Sequence, residues 1–289
     1  MVQEEVLAEV EDGNKMQIIA STGVKGGVGK STFAILLAFK MLRQEKKIVL
    51  CDCDVECPNY YLILNQRLKN SKPIYQEFPE LNEEICKKCG LCSKVCREHA
   101  IFWVENDYPK FILDLCTSCG ACWISCPNKA INRKKEVAGK SSINKIKDNF
   151  WLITGQSKTG ISETGPIVRE VKERAIKFSK KINADYLIID TSPGAHCNVI
   201  QALLNSDKVY AVTEPTPLGA YDLGVILELT KKLNLLTEIV LNKADVGNRM
   251  KIEKIAREFK SKISIEIPYS EKLIKTYCTG RLEKMVNLI

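Results

Sequence analysis

Short apolar runs rich in β-branched residues alternate along this chain with longer stretches whose apolar positions recur at helical spacing. Gln17 to Thr22 is the first run. It passes through a glycine-rich turn into a periodic stretch from Ser31 to Leu42, the order of strand, loop and helix. Another strand is expected at Lys47 to Cys51. From about Tyr75 to about Arg133 the pattern gives way to a cysteine-dense stretch, and Glu136 to Asn144 then reads as a polar linker. The alternation resumes beyond it. Phe150 to Thr154, Tyr186 to Ile189, Val209 to Thr213 and Glu238 to Leu241 read as buried strands, with helices at Glu163 to Ile182 and Asp222 to Leu233. The expected fold is α/β, a mainly parallel, doubly wound sheet covered on both faces. Because that sheet needs strands from both sides of the cysteine segment, the segment reads as an insertion. The division expected is an extension at 1–16, a discontinuous α/β domain at 17–75 and 140–289, and a small α+β domain inserted at 76–139.

The 289 residues and 45% hydrophobic content suffice for a large buried core. No run of about 18 apolar residues occurs, and the acidic first 16 residues lack a secretory pattern, so a cytoplasmic protein is expected. The net charge of +8 is spread among acidic residues, which speaks for solvated surface: no nucleic-acid partner is expected, and a membrane is disfavoured. Thirteen cysteines in such a chain point to metal ligation in place of disulfides.

Eight of them fall into two runs, Cys86-x2-Cys89-x2-Cys92-x3-Cys96 and Cys116-x2-Cys119-x2-Cys122-x3-Cys126-Pro127. This is the two-cluster ferredoxin spacing written twice, in which the fourth cysteine of each run serves the other cluster. The expected ligand sets are Cys86, Cys89, Cys92 and Cys126 for one 4Fe-4S cluster, and Cys96, Cys116, Cys119 and Cys122 for the other. Zinc is the competing reading, since paired CxxC steps suit tetrahedral sites; the duplicated three-plus-one pattern favours 4Fe-4S. Arg97 stands where the first run would carry proline, so a local backbone change is expected there. Lys87, Lys88, Lys94 and Arg97 read either as solvated charge or as a docking patch for an acidic electron donor, and Trp103 and Trp123 as packing around the clusters. Cys51, Cys53, Cys57, Cys197 and Cys278 read mainly as small apolar residues, with a bridging metal at Cys53, Cys57 or Cys197 left open. His196, beside Cys197, reads as a loop histidine.

The glycine-rich turn, Gly23 to Thr32, contains GxxxxGK[ST]. Gly26, Gly27, Val28 and Gly29 let backbone N–H groups face phosphates, Lys30 reaches the β and γ oxygens, Ser31 offers its hydroxyl to Mg²⁺, and Thr32 follows in the opening helix. ATP or ADP with Mg²⁺ is the cofactor this implies.

The stretch KGGVGKST, with its early Lys25, resembles the deviant Walker A motif of the MinD, Mrp and nitrogenase iron protein class of ATPases. The resemblance implies that Lys25 reaches the nucleotide of a second subunit, in an ATP-bound homodimer. Asp52-Cys53-Asp54 resembles that class's switch I, with Asp54 orienting the attacking water and Asp52 supporting the Mg²⁺ shell. Tyr186 to Gly194 resembles the Walker B strand entering switch II; Asp190 would hold Mg²⁺ through water and Gly194 would sense the γ-phosphate. Asn242 would meet the adenine edge, and Ile267-Pro268-Tyr269 would line the ring. Glu214-Pro215-Thr216 also resembles a family stretch, without assigned chemistry. From Gly23 to Pro268 the chain is similar to MinD-superfamily ATPases carrying an inserted ferredoxin domain. That implies hydrolysis coupled to electron transfer through two clusters toward a redox or Fe–S partner protein. Cluster assembly or delivery is the alternative, weakened because only Cys278 lies near the C-terminus, and membrane or DNA positioning is a third reading.

Overall fold

The computed structural model describes residues 16–289; the extension expected at 1–16 lies, apart from Met16, outside them. The elements run β1 (Gln17–Thr22), α1 (Lys30–Arg43), β2 (Ile48–Cys53), α2 (Tyr60–Ile63), β3 (Lys72–Leu81), α3 (Leu91–Val95), β4 (Ile101–Phe102), β5 (Lys110–Phe111), α4 (Ala121–Ser125), β6 (Ile131–Lys147) and β7 (Phe150–Ser157). They continue with α5 (Gly165–Lys181), β8 (Tyr186–Thr191), α6 (Cys197–Leu203), β9 (Lys208–Thr213), α7 (Pro217–Lys232), β10 (Thr237–Asn242), α8 (Met250–Glu258), β11 (Ile263–Ile267) and α9 (Glu271–Cys278). The described residues build a nine-stranded sheet in the order β11-β10-β9-β1-β8-β2-β7-β6-β3. Every pairing from β11 to β7 is parallel; β7 with β6 and β6 with β3 are antiparallel. The α/β architecture with a largely parallel sheet is therefore as expected.

The central strands read as continuous apolar runs because helices cover both faces. All six residues of β2 are buried. On one face α1 packs through Phe33, Leu36 and Phe39, joined by Leu282, Met285 and Val286 of a 3₁₀ turn near the C-terminus. On the other face, α5 and α6 contribute Ile167, Val171, Val199 and Leu203. The last turn is therefore part of the core, held also by Arg43, which donates to the Glu283 carbonyl at 2.7 Å.

Two expectations are corrected here. The supposed linker Glu136–Asn144 lies wholly inside the long strand β6, paired with β3 on one side and, from Gly139, with β7 on the other. Its polar residues imitate a linker, yet each polar side chain buried there meets a partner, which makes the burial tolerable. Ser142 shares a 2.7 Å hydrogen bond with Ser71, Ser141 accepts from Arg174 at 2.8 Å, and Asn144 donates to the Arg67 carbonyl at 2.6 Å. The second correction follows. Residues 76 and 139 both sit within the paired hairpin, so the junctions fall later and earlier, at the facing pair Leu81 and Ile131. Edge strand β3 carries Pro73 and Pro79, which an edge accommodates because one side of it needs no ladder donor. Residues 82–130 form a compact unit at the hairpin tip around Cys92, Ile101, Cys122 and Ile131.

Candidate nucleotide site and cysteine unit

The turn after β1 lies at the carboxyl ends of the parallel strands, where open α/β sheets place their ligands. Three of its four glycines, Gly23, Gly27 and Gly29, are required by sterics or by a left-handed backbone. A Cβ on Gly23 would come within 2.7 Å of the Val212 carbonyl oxygen, and Gly29, at φ 105°, presses against the Asn242 amide. Gly27 is also left-handed, at φ 75°. Lys30 opens α1 and folds its ammonium back over the turn, donating to the Lys25 carbonyl at 3.1 Å. Burial lowers its pKa, against the opposing pull of Asp190 and Asp54.

Ser31 donates its hydroxyl to Asp190 Oδ2 at 2.6 Å, while the other oxygen, Oδ1, is buried without a partner. Burial pushes the Asp190 pKa up to about 7 although Ser31 and Lys30 oppose it. A serine hydroxyl beside an orphaned carboxylate oxygen is the donor set of a hard, oxygen-seeking cation, so these residues fit Mg²⁺. Asp52 faces Asp190 across the β2–β8 register. Both of its oxygens are engaged by its own loop: Oδ2 accepts from the Asn59 and Tyr60 amides at 3.0 and 3.2 Å, and Oδ1 from Asp54 at 3.2 Å. Burial and the Asp190 charge push its pKa well up. Asp52 thus braces the loop that carries Asp54. Asp54, half-buried and raised by that burial, accepts from the Cys57 amide at 3.4 Å and lies within the electrostatic reach of Lys30. Gly194 holds φ 109° where a Cβ would come within 2.8 Å of the His196 ring.

A cavity of about 380 Å³ opens beside the turn, within the range of small-molecule sites. Gly27, Gly29, Lys30, Ser31, Thr32, Asn242 and Pro268 line it. Val28 is buried beneath, its carbonyl accepting from Asn242 Nδ2 at 2.9 Å, so Asn242 ties the turn to β10 as well as facing the cavity. The sequence reading missed the far wall, Leu273, Ile274 and Tyr277 of α9. Their helical spacing marks one apolar face, which was the available signal. Tyr60, also missed, is fully buried and donates its hydroxyl to the Ser31 carbonyl at 3.3 Å.

Glu214 gains a role the sequence did not give it. Its carboxylate receives Lys25 at 2.6 Å and Lys243 at 2.9 Å. Burial works to raise its pKa, but the two lysines hold it below the ordinary value. Lys25 is raised in turn by the hydrogen bond and charge of Glu214.

The nucleotide-binding domain description CobQ/CobB/MinD/ParA matches residues 19–283. The chain belongs to this family. It is an ATP-binding P-loop ATPase. The uncharacterized protein MJ0579 of Methanocaldococcus jannaschii is 40% identical over 268 residues, 92% of this chain and 91% of that one. Its uncharacterized companion MJ0578 is 35% identical over 231 residues, 80% and 79% of the two chains. Among solved structures, the septum site-determining protein MinD with Mg-ADP from Pyrococcus horikoshii superposes with TM-score 0.57 at 17% identity, covering 94% of this chain and 89% of that one. A ParA family ATPase from Chlorobium tepidum gives TM-score 0.55 at 18% identity, covering 94% and 93%. At such identities the likeness is one of fold.

The cysteines of residues 82–130 form a second candidate site. Cys86, Cys89, Cys92 and Cys126 line one hollow, and Cys96, Cys116, Cys119 and Cys122 line a second. Each hollow takes the last cysteine of the opposite run. The two runs repeat one backbone. Lys88 and Ser118 both have φ 56°, His99 and Lys129 both φ 51°, and Gly90 and Gly120 are left-handed. Four amides point at sulfur: Lys88 to Cys86 and Ser118 to Cys116 at 3.4 Å, Ala100 to Cys96 at 3.3 Å, Ala130 to Cys126 at 3.2 Å. The change expected at Arg97 is absent: Cys96 (φ −77°, ψ 101°) and Cys126 (φ −72°, ψ 111°) match closely. Arginine freely adopts the conformation that proline enforces.

Among the described residues, no group of three or more histidine, cysteine or acidic side chains converges tightly enough for a single metal ion. The eight thiols nonetheless line two hollows in sets of four, a donor set that suits a thiolate-bound metal centre. Burial raises the Cys92 and Cys116 thiols, and pushes Cys122 up to about 12, so a metal centre held there would have to drive their deprotonation. Trp103 covers Gly90 and Trp123 covers Gly120. Of the other cysteines, Cys51 and Cys53 are buried in the core with sulfurs 3.6 Å apart, while Cys57, Cys197 and Cys278 are exposed. No described helix is long and apolar enough to cross a membrane.

Proposed function

We propose that this ATPase couples ATP binding and hydrolysis, in an ATP-bound homodimer, to one-electron transfer through two 4Fe-4S clusters held by residues 82–130. The observation that carries the reading is the sorting of eight cysteines into two hollows of four, each crossed by one ligand from the opposite run. The amides aimed at sulfur support it, since such bonds orient thiolates and tune cluster potential. When bound, each cluster supplies a site for one electron.

In the nucleotide half, the turn's amides and Lys30 hold the β and γ phosphates, and Asn242, Pro268 and the α9 face enclose the base. Ser31 and Asp190 would hold Mg²⁺, which when bound would offset the charge of the phosphates. Asp54, on the loop braced by Asp52, orients the attacking water, and orthophosphate leaves. Lys25, once released from Glu214, reaches the nucleotide of the second subunit. The partner is a protein that gives or takes single electrons.

The test is iron and sulfide analysis of anaerobically prepared protein with EPR of its reduced form. Iron and sulfide for two four-iron clusters, with paramagnetic signals on reduction, is the expected result. Stoichiometric zinc with no reducible signal would overturn the redox reading and leave the ATPase.

A further inference from the structure

Residues 158–164 leave β7 and enter α5, and their contacts reach three other parts of the molecule. Toward the cysteine unit, Ser162 donates to the Cys116 carbonyl at 3.2 Å, and a Cβ on Gly160 would stand 3.5 Å from Asp114 Oδ1. Toward the hairpin, Gln76 donates to the Glu163 carbonyl at 3.3 Å and Lys158 to the Ala138 carbonyl at 2.7 Å. Toward the nucleotide switches, Thr164 donates to Glu56 Oε1 at 2.9 Å and accepts from Asn198 at 3.4 Å. Glu56 lies two residues beyond Asp54, and Asn198 four beyond Gly194. The amide just before this segment, Ser157, donates to the Val55 carbonyl at 2.7 Å.

Thr164 is the junction of these contacts. Only 4% exposed, it spends its single donor on the switch I loop and an acceptor site on the helix after switch II. A buried hydroxyl is costly to strand, so a shift of either loop moves Thr164 or breaks its bonds. One residue of chain separates it from Ser162, which bonds the Cys116 carbonyl, and three separate it from Gly160 beside Asp114. Cys116 belongs to the hollow of Cys96, Cys116, Cys119 and Cys122; among the described hydrogen bonds, none joins 158–164 to Cys86, Cys89, Cys92 or Cys126.

We infer that residues 158–164 couple the two halves asymmetrically, with Thr164 and Ser162 as positioning residues. Nucleotide state is transmitted to the Cys96/Cys116/Cys119/Cys122 site and not to its companion. The inference rests on the cluster reading proposed above. Its physical warrant is one short segment whose placement depends on both switches and which touches one cysteine set.

Full-length anaerobic protein is titrated by EPR without nucleotide, with ADP, and with a non-hydrolysable ATP analogue, alongside hydrogen exchange at the amides of 158–164. Expected is a nucleotide-dependent shift in potential or line shape confined to the signal lost in Cys119→Ala, with altered protection of 158–164. The double variant Ser162→Ala/Thr164→Val is expected to keep its iron and nucleotide-free spectrum but to lose that shift, and restoring Ser162 with Thr164→Ser should recover it. The inference is overturned by a full-sized shift in the double variant, by a shift on the signal lost in Cys89→Ala, or by iron-replete wild-type protein showing no shift or unchanged exchange. Absence of iron would remove the cluster reading, and this inference with it; persistent iron without the asymmetry removes the inference alone.

Discussion

Glu214 holds the Lys25 ammonium 2.6 Å from one carboxylate oxygen while Lys243 occupies the other at 2.9 Å. In the isolated chain the lysine expected to reach a second subunit is thus tied to its own. In the proposed dimer, closure would exchange this ion pair for a contact with phosphate. Since Lys25 is 41% exposed, the pair is worth about 1 kcal/mol or less.

Glu214→Gln should therefore ease dimerisation. The ATP concentration at half-maximal dimer, followed by light scattering, is expected to fall by up to roughly fivefold. An unchanged or raised midpoint would show that the pair does not oppose closure.

Lys30→Ala and Asp54→Asn should each lower phosphate release by roughly 100-fold or more, because both act at the reacting phosphate in the proposed site. Brown absorbance should be retained in both variants. Wild-type turnover in either would remove that residue from the hydrolytic assignment.

Tyr277→Ala opens the α9 wall of the nucleotide cavity. Losing aromatic cover worth about 1 kcal/mol beyond its buried area should raise KM for ATP roughly tenfold with little change in kcat. A change confined to kcat would place Tyr277 at the chemistry.

Cys126→Ala should remove the same EPR signal as Cys89→Ala, and Cys96→Ala the same as Cys119→Ala, because each hollow borrows one cysteine from the opposite run. Loss sorted by run would reverse the pairing.

Lys172 gives a pH dependence. It is 5% exposed, donates to the Ala202 carbonyl at 2.6 Å and also bonds the Leu204 carbonyl. Burial pushes its pKa down to about 8 from an ordinary 10.5, against the pull of Cys53 and Cys51. Between those values the unfolded chain binds more protons, so stability rises with pH across the window; below pH 8 the full penalty, up to about 3 kcal/mol, is present. The rise in thermal midpoint between pH 7.5 and 9.5 should be larger in the wild type than in Lys172→Met. Equal rises would mean that Lys172 titrates normally.

The parallel core was legible because its strands are uninterrupted apolar runs; Gln17–Thr22 was placed to the residue. The glycine-rich turn was legible for a different reason, its backbone demanding residue types that leave a fixed pattern. Strand β6 was not, since Ser141, Ser142 and Asn144 are paid for by partners distant in sequence, Arg174, Ser71 and Arg67. The same limit hid Glu214, whose function depends on Lys25, 189 positions away. Tyr277 was hidden because an apolar helical face does not say whether it covers a sheet or a ligand. Cysteine spacing fixed which thiols could share a hollow, but not the segment 158–164 that lies against one of them.

The hairpin that carries the cysteine unit leaves and re-enters the sheet at two residues directly facing each other, Leu81 and Ile131. A tight turn between them would close the ladder without disturbing a parallel strand. The unit therefore joins the sheet through two neighbouring chain ends: other cargo with ends so placed could be mounted there, at the loss of the contacts with 158–164, and the ATPase beneath would be left with its sheet complete.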